Sequence, residues 1–148
     1  MATGTFDILH LGHIYYLKEA KKLGDTLAVV VAHDETVRKL KHEPINPGPI
    51  RVNLVKELSV VDEAYLGHES NMYDIVKEIQ PDVIALGYDQ IHNEGDIRKK
   101  LQQMNMKTKV VRLQKYDGGS DLEGTRRIIA KILTAYEFQK KMERLENR

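Results

Sequence analysis

The sequence predicts an α/β fold: one doubly wound parallel sheet of about five strands flanked by helices. Three observations carry that expectation. The run TLAVVVA at 26–32 is β-branched and lacks polar alternation, the pattern of a strand buried on both faces. Segments with helical periodicity alternate with such short apolar runs along the chain. No linker, repeat or low-complexity stretch interrupts the alternation, so residues 1–148 are read as a single domain.

The elements follow in order. Before Gly4 there is room for only about three strand residues, against a usual five or six, so either the first strand is short or the sequence starts inside it. A helix is expected over 13–23, closed by Gly24 as a left-handed stop. The strand at 26–32 comes next, then a helix over 49–58 and a short strand over 63–66. A helix over 72–79 precedes Pro81-Asp82 and a strand over 83–86. The chain continues with a helix over 95–104, a strand over 109–113 and a long helix from about residue 124. Its end, 136–148, is rich in Lys, Arg and Glu and reads as an exposed helical tail. Right-handed crossovers would join these strands in parallel, a Rossmann-like arrangement in which ligands bind beyond the carboxyl ends of the strands.

Composition narrows the function. Charged residues make up 30% and hydrophobic residues 41% of the 148, a globular balance. No stretch reaches the roughly 20 apolar residues of a membrane span, and Met1 opens no signal-peptide pattern, so no membrane role and a cytoplasmic location are expected. The absence of cysteine removes disulfides, thiolate nucleophiles and thiolate metal sites. A net charge of +1 with no basic stripe gives no reason to expect nucleic acid.

The chemistry concentrates in GTFDILHLGH at 4–13, the expected junction of the first strand and first helix. Gly4 permits close approach of the backbone, and the amides of Thr5 and Phe6 would face the crevice. Gly12 would leave the first helical amides open to an anion. His10 and His13, on either side of it, can steady charge building on a pentavalent phosphorus. Two other readings stand beside this one: ordinary surface polarity at a helix start, or a zinc site shared with Asp7, for which no third ligand is fixed nearby.

GTFDILHLGHIYYLKEAKKLGD resembles the signature of the HxGH nucleotidylyltransferase superfamily, and its GTFD opening resembles the cytidylyltransferase-like branch. VVVAHDETVRKLK, IRVNLVKELSVVDEAYLG, PDVIALGYDQ and RLQKYDGG followed by a C-terminal helix resemble, in that order, the archaeal FAD synthases of that branch. The resemblance implies that His10 and His13 are catalytic and that Thr5, Phe6, His10, Leu11, Gly12, His13, Asp89 and Tyr116 bind the nucleotide. It implies AMP transfer from ATP to FMN, a divalent ion such as magnesium on the triphosphate, no metal held by protein ligands, and a homodimer. The runner-up is glycerol-3-phosphate cytidylyltransferase, with CTP as donor; a nucleotide-binding module without catalysis is the third reading. Lys41, Arg51, Thr125 and Arg127 are candidate phosphate contacts.

The pattern is departed from in two places. Glu43 precedes Pro44 where relatives often carry lysine, and Pro47-Gly48-Pro49 replaces a more acidic helix start. Leu122-Glu123-Gly124-Thr125-Arg126-Arg127 stands where relatives usually open the last helix with serine and threonine. The remaining histidines, His33, His42, His68 and His92, read as turn or loop residues, and Tyr15 and Tyr16 as helix packing.

Overall fold

The computed structural model describes residues 1–40, 42–69, 71–119 and 122–146. Five strands, β1 (Ala2–Gly4), β2 (Ala28–Val31), β3 (Glu63–Leu66), β4 (Val83–Leu86) and β5 (Lys109–Arg112), form one sheet in the order β3-β2-β1-β4-β5. Every pairing is parallel, as expected from the alternation of strands and helices. Six helices join or follow them: α1 (Leu11–Lys21), α2 (Asp34–Leu40), α3 (Gly48–Lys56), α4 (Met72–Ile79), α5 (Glu94–Gln103) and α6 (Thr125–Glu146).

β2 shows why its sequence lacks alternation. All four of its residues are buried. Val29 and Val31 pack with Leu17 and Ala20 of α1 and Val55 of α3 on one face. Val30 packs on the other face with Ile75 and Val76 of α4 and Ile97 and Leu101 of α5. Burying Val, Leu and Ile side chains on both faces contributes about 1.5–3 kcal/mol each, so the two clusters hold the helices against the sheet.

The strand order reverses at β1, which lies between β2 and β4. β1 follows β2 through three residue pairs but meets β4 only at Ala2 and Ala85, then diverges from it. Side chains bridge the gap. The buried Tyr16 hydroxyl lies 2.8 Å from the Ala85 carbonyl and 3.1 Å from the Thr3 carbonyl, and it accepts from the Thr3 amide at 3.1 Å. Burial pushes the Tyr16 phenol well above its ordinary pKa.

Several boundaries differ from the sequence reading. α1 starts at Leu11, so Gly12 and His13 both lie inside its first turn and His10 becomes the N-cap. Gly24 is not left-handed: Gly119 is the glycine with positive φ among the described residues, and α1 closes on Lys22 in the right-handed region. The left-handed stop occurs instead at Gln80, φ 50°, after α4. α2 is an added element, seven residues long, with Asp34 and Glu35 in its first turn, Arg38 and Lys39 in its last, and Val37 as its buried anchor.

Candidate active site

The loop leaving β1 turns sharply at Phe6, whose φ of 51° is left-handed. Such a conformation is costly for an aromatic residue and persists only where packing over-determines it. Here the Phe6 ring folds back over Gly4, where a Cβ atom would sit 2.8 Å from the ring. The ring is 1% exposed and lies between the His13 ring, 5.1 Å away, and the Tyr16 ring, 6.4 Å away. Phe6 therefore supports His13 from beneath, and any nucleotide contact from this residue is through its backbone. Thr5 beside it is half-buried.

His10 and His13 stack at a centroid distance of 3.8 Å with 25° between their planes. His13 belongs to the first turn of α1 and His10 caps it through its carbonyl, which accepts from the amides of His13 and Ile14 at 3.0 and 3.2 Å. The first turn holds no acidic side chain, so the positive end of the helix is not offset from within it. The pair, the opening amides of α1 and exposed Leu11 thus converge at the split between β1 and β4.

Burial lowers the His10 pKa, opposed in smaller measure by the carboxylates of Asp89 and Glu123. The shift favours the neutral ring. Its Nδ1 is buried without a hydrogen-bond partner among the described residues.

Asp89 belongs to the loop after β4, exposed and within electrostatic reach of His10. Gln90 in the same loop donates from Nε2 to the Thr3 carbonyl at 2.6 Å, while its Oε1 is buried and unpartnered among the described residues. Glu123 arrives from the segment before α6. A Cβ on Gly12 would lie 2.9 Å from the Glu123 carbonyl oxygen and 3.0 Å from the His10 ring, so the glycine between the histidines is what lets α6 begin against α1. Thr125, half-buried, is the first residue of α6, and the Arg127 side chain is exposed on it.

Other candidates are placed differently. Tyr116 lies against Tyr15 on α1, with ring centroids 5.1 Å apart, rather than against the histidine pair. Lys41 lies outside the described residues. Arg51 is corrected: it is fully buried and donates to the carbonyls of Asn46 at 2.8 Å and Thr5 at 2.7 Å, and to Asp34 at 2.5 Å. Its guanidinium is a structural clamp, because α3 carries it into the core beneath the β1 loop.

Asp7 completes that clamp. It is 3% exposed, and its two carboxylate oxygens accept from the amides of Ile45 and Asn46 at 2.7 Å each. The zinc reading of Asp7 fails on this geometry, since both oxygens face amides. The Asn46 side chain returns a bond to the Asp7 carbonyl at 2.8 Å, and Asp34 accepts from the Gly48 amide at 2.8 Å. The GTFD aspartate therefore moulds the 45–48 segment at the sheet edge. Sequence reasoning missed this role, together with those of Tyr16, Gln90, Glu123 and Arg112. Polar residues inside apolar periodic segments, such as Tyr16 and Arg112, were the available signal.

A family model for cytidylyltransferase-like proteins matches residues 1–143, nearly the whole chain. The chain belongs to the cytidylyltransferase-like family. Among curated members, an FAD synthase from Aciduliprofundum boonei is 55% identical over 133 residues, covering 90% of this chain and 89% of that protein. An FAD synthase from Thermoplasma acidophilum is 55% identical over 118 residues, covering 80% and 83%. A crystal structure from Thermoplasma volcanium, described as a lipopolysaccharide core biosynthesis protein, superposes with a TM-score of 0.78 at 54% identity and covers 79% of this chain and 96% of that one. Cytidylyltransferase-like proteins are nucleotidyltransferases, and the stacked histidines of this member sit at its topological switch point.

Proposed function

We propose that the protein transfers AMP from ATP to the phosphate of FMN, giving FAD and pyrophosphate. The observation that carries this reading is the His10–His13 pair at the open start of α1, in a chain 55% identical to curated FAD synthases.

The chemistry asks little covalent work of the protein. A phosphate oxygen of FMN, already ionised, attacks the α-phosphorus of ATP. The bond from that phosphorus to the α,β-bridging oxygen breaks, and its electron pair leaves with pyrophosphate. What the site must supply is alignment and stabilisation of charge. The imidazoles of His10 and His13 and the first amides of α1 act as donors to the phosphate oxygens. Asp89 and Tyr116 are assigned to the nucleotide, and Thr125 and Arg127 to the phosphate-facing start of α6. Magnesium, with few protein ligands, travels on the triphosphate as part of the substrate.

The protein is further proposed to work in the cytoplasm as a homodimer, which light scattering tests. The deciding experiment incubates it with FMN, magnesium and either ATP or CTP, and separates products by chromatography. FAD from ATP is the expected product. A cytidine analogue formed in preference would move the donor assignment to CTP, and no flavin product with either donor would overturn FMN as acceptor.

A further inference from the structure

Arg112 is the last residue of β5, in register with Leu86, the last of β4. Its side chain turns across the loop that leaves β4. Nη1 donates to the carbonyls of Gly87 at 2.8 Å and Gln90 at 3.1 Å, and Nη2 donates to the carbonyl of His92 at 2.6 Å. Nε reaches the Glu94 carboxylate, in the first residue of α5, at 3.0 Å. Three carbonyls of one short loop and the helix that follows it thus converge on one planar cation.

That convergence sets the loop's shape. In a trans peptide the N–H points opposite to the C=O. Carbonyls of Gly87 and Gln90 drawn to Arg112 therefore turn the amides of Tyr88 and Ile91 away from it, and neither amide donates to another described group. The opposite side of the loop is tied to β1 through Gln90 and Thr3. Asp89, between the two ties, lies within electrostatic reach of His10. A lysine could not reproduce the arrangement, because an ammonium lacks the flat fork that spans several acceptors.

We propose that Arg112 is a positioning residue for the donor nucleotide: it holds the 87–92 loop in the one shape that receives ATP beside His10. The proposal rests on reading the crevice at His10 as the ATP site. Without the guanidinium the loop samples other shapes, and apparent affinity falls by the fraction of time spent in the competent one. A loop competent about one tenth of the time binds about tenfold more weakly.

The test measures MgATP binding by calorimetry in the absence of any acceptor, alongside unfolding in urea, for wild type, R112M, R112K and R112A. KM values for ATP and FMN follow from the FAD assay. Folded R112M is expected to bind MgATP about tenfold more weakly, with R112K recovering little and the KM for FMN unchanged. Millimolar guanidinium is expected to restore ATP binding to R112A. Wild-type ATP affinity in folded R112M would overturn the proposal, as would ATP and FMN constants that rise together or an R112A variant that guanidinium fails to rescue. Should R112M not fold, R112K carries the same comparison, because it keeps the cation and the aliphatic stem. Binding is read without FMN, so a wild type that binds ATP but makes no FAD would sink the flavin reading and leave this measurement intact.

Discussion

The His10 ring lies over the His13 ring at 3.8 Å, close to parallel. Stacked this closely, the two rings can present donors to one anion together. On the proposed reading, both rings act on charge that the substrate brings. H10A and H13A are each expected to lower transfer about 10²–10³-fold, the usual cost of deleting one preorganised donor, while MgATP binding changes little. Single-turnover rates together with calorimetry check this, and a full rate in either variant removes that histidine from the chemistry.

His10 also predicts a pH effect on stability. Its folded-state pKa is lowered, mainly by burial, so the unfolded chain binds its proton more readily. Stability then rises with pH through the ordinary histidine range and is lost as pH falls below about 6.5. Between about pH 7 and 5, wild type is expected to lose more stability than H10N, measured as the shift in urea midpoint. Equal slopes would mean that His10 titrates normally in the fold.

Arg51 separates a structural reading from a phosphate-binding one. R51M removes the guanidinium from Asp34 and from the carbonyls of Thr5 and Asn46, a loss expected to cost about 3 kcal/mol in stability. MgATP affinity of the folded protein should stay near wild type. A stable R51M with strongly weakened ATP binding would return Arg51 to the phosphates.

Gln80 offers a gain. It is an exposed residue held at φ 50° where α4 ends, and glycine adopts that region without a Cβ penalty. Q80G is expected to stabilise the protein by about 0.5–1 kcal/mol, seen as a rise in Tm of about 2–4 °C. No rise would mean that the glutamine side chain makes up the difference.

The end of α6 packs little against the rest of the chain. α6 has no buried residue along its 22 positions, and Tyr136 and Phe138 are 54% and 66% exposed. Ending the chain after residue 135 is expected to leave unfolding stability and FAD formation unchanged. Light scattering on both lengths shows whether the apolar residues of this stretch matter for association instead.

Much of the architecture was legible because burial leaves a periodic mark. β2 is buried on both faces and its sequence is uniformly apolar; α4 keeps its predicted bounds because Asn71 caps it and Pro81 follows it. α2 escaped because seven residues with one buried valine carry almost no periodicity. The site divides along similar lines. The histidine spacing announced itself, but Arg51 reads identically in sequence whether its guanidinium meets phosphate or carbonyl oxygens. Only the position of α3 over the β1 loop decides between them. Arg112 was legible only as a polar residue in an apolar segment, since its partners, three carbonyls and the Glu94 carboxylate, are brought to it by the fold. Gly12 was singled out for an anion, yet its nearest constraint is the Glu123 carbonyl.

The divergence of β1 from β4 gives the protein an internal gauge. The Thr3 amide donates to a phenol on α1 in place of a neighbouring strand. Its exchange with deuterated solvent therefore requires α1 to lift from the sheet, without any unravelling of the ladder. Because α1 also carries His13, the protection of that one amide records how often this helix is seated, and its slowing on addition of ATP would measure the seating directly.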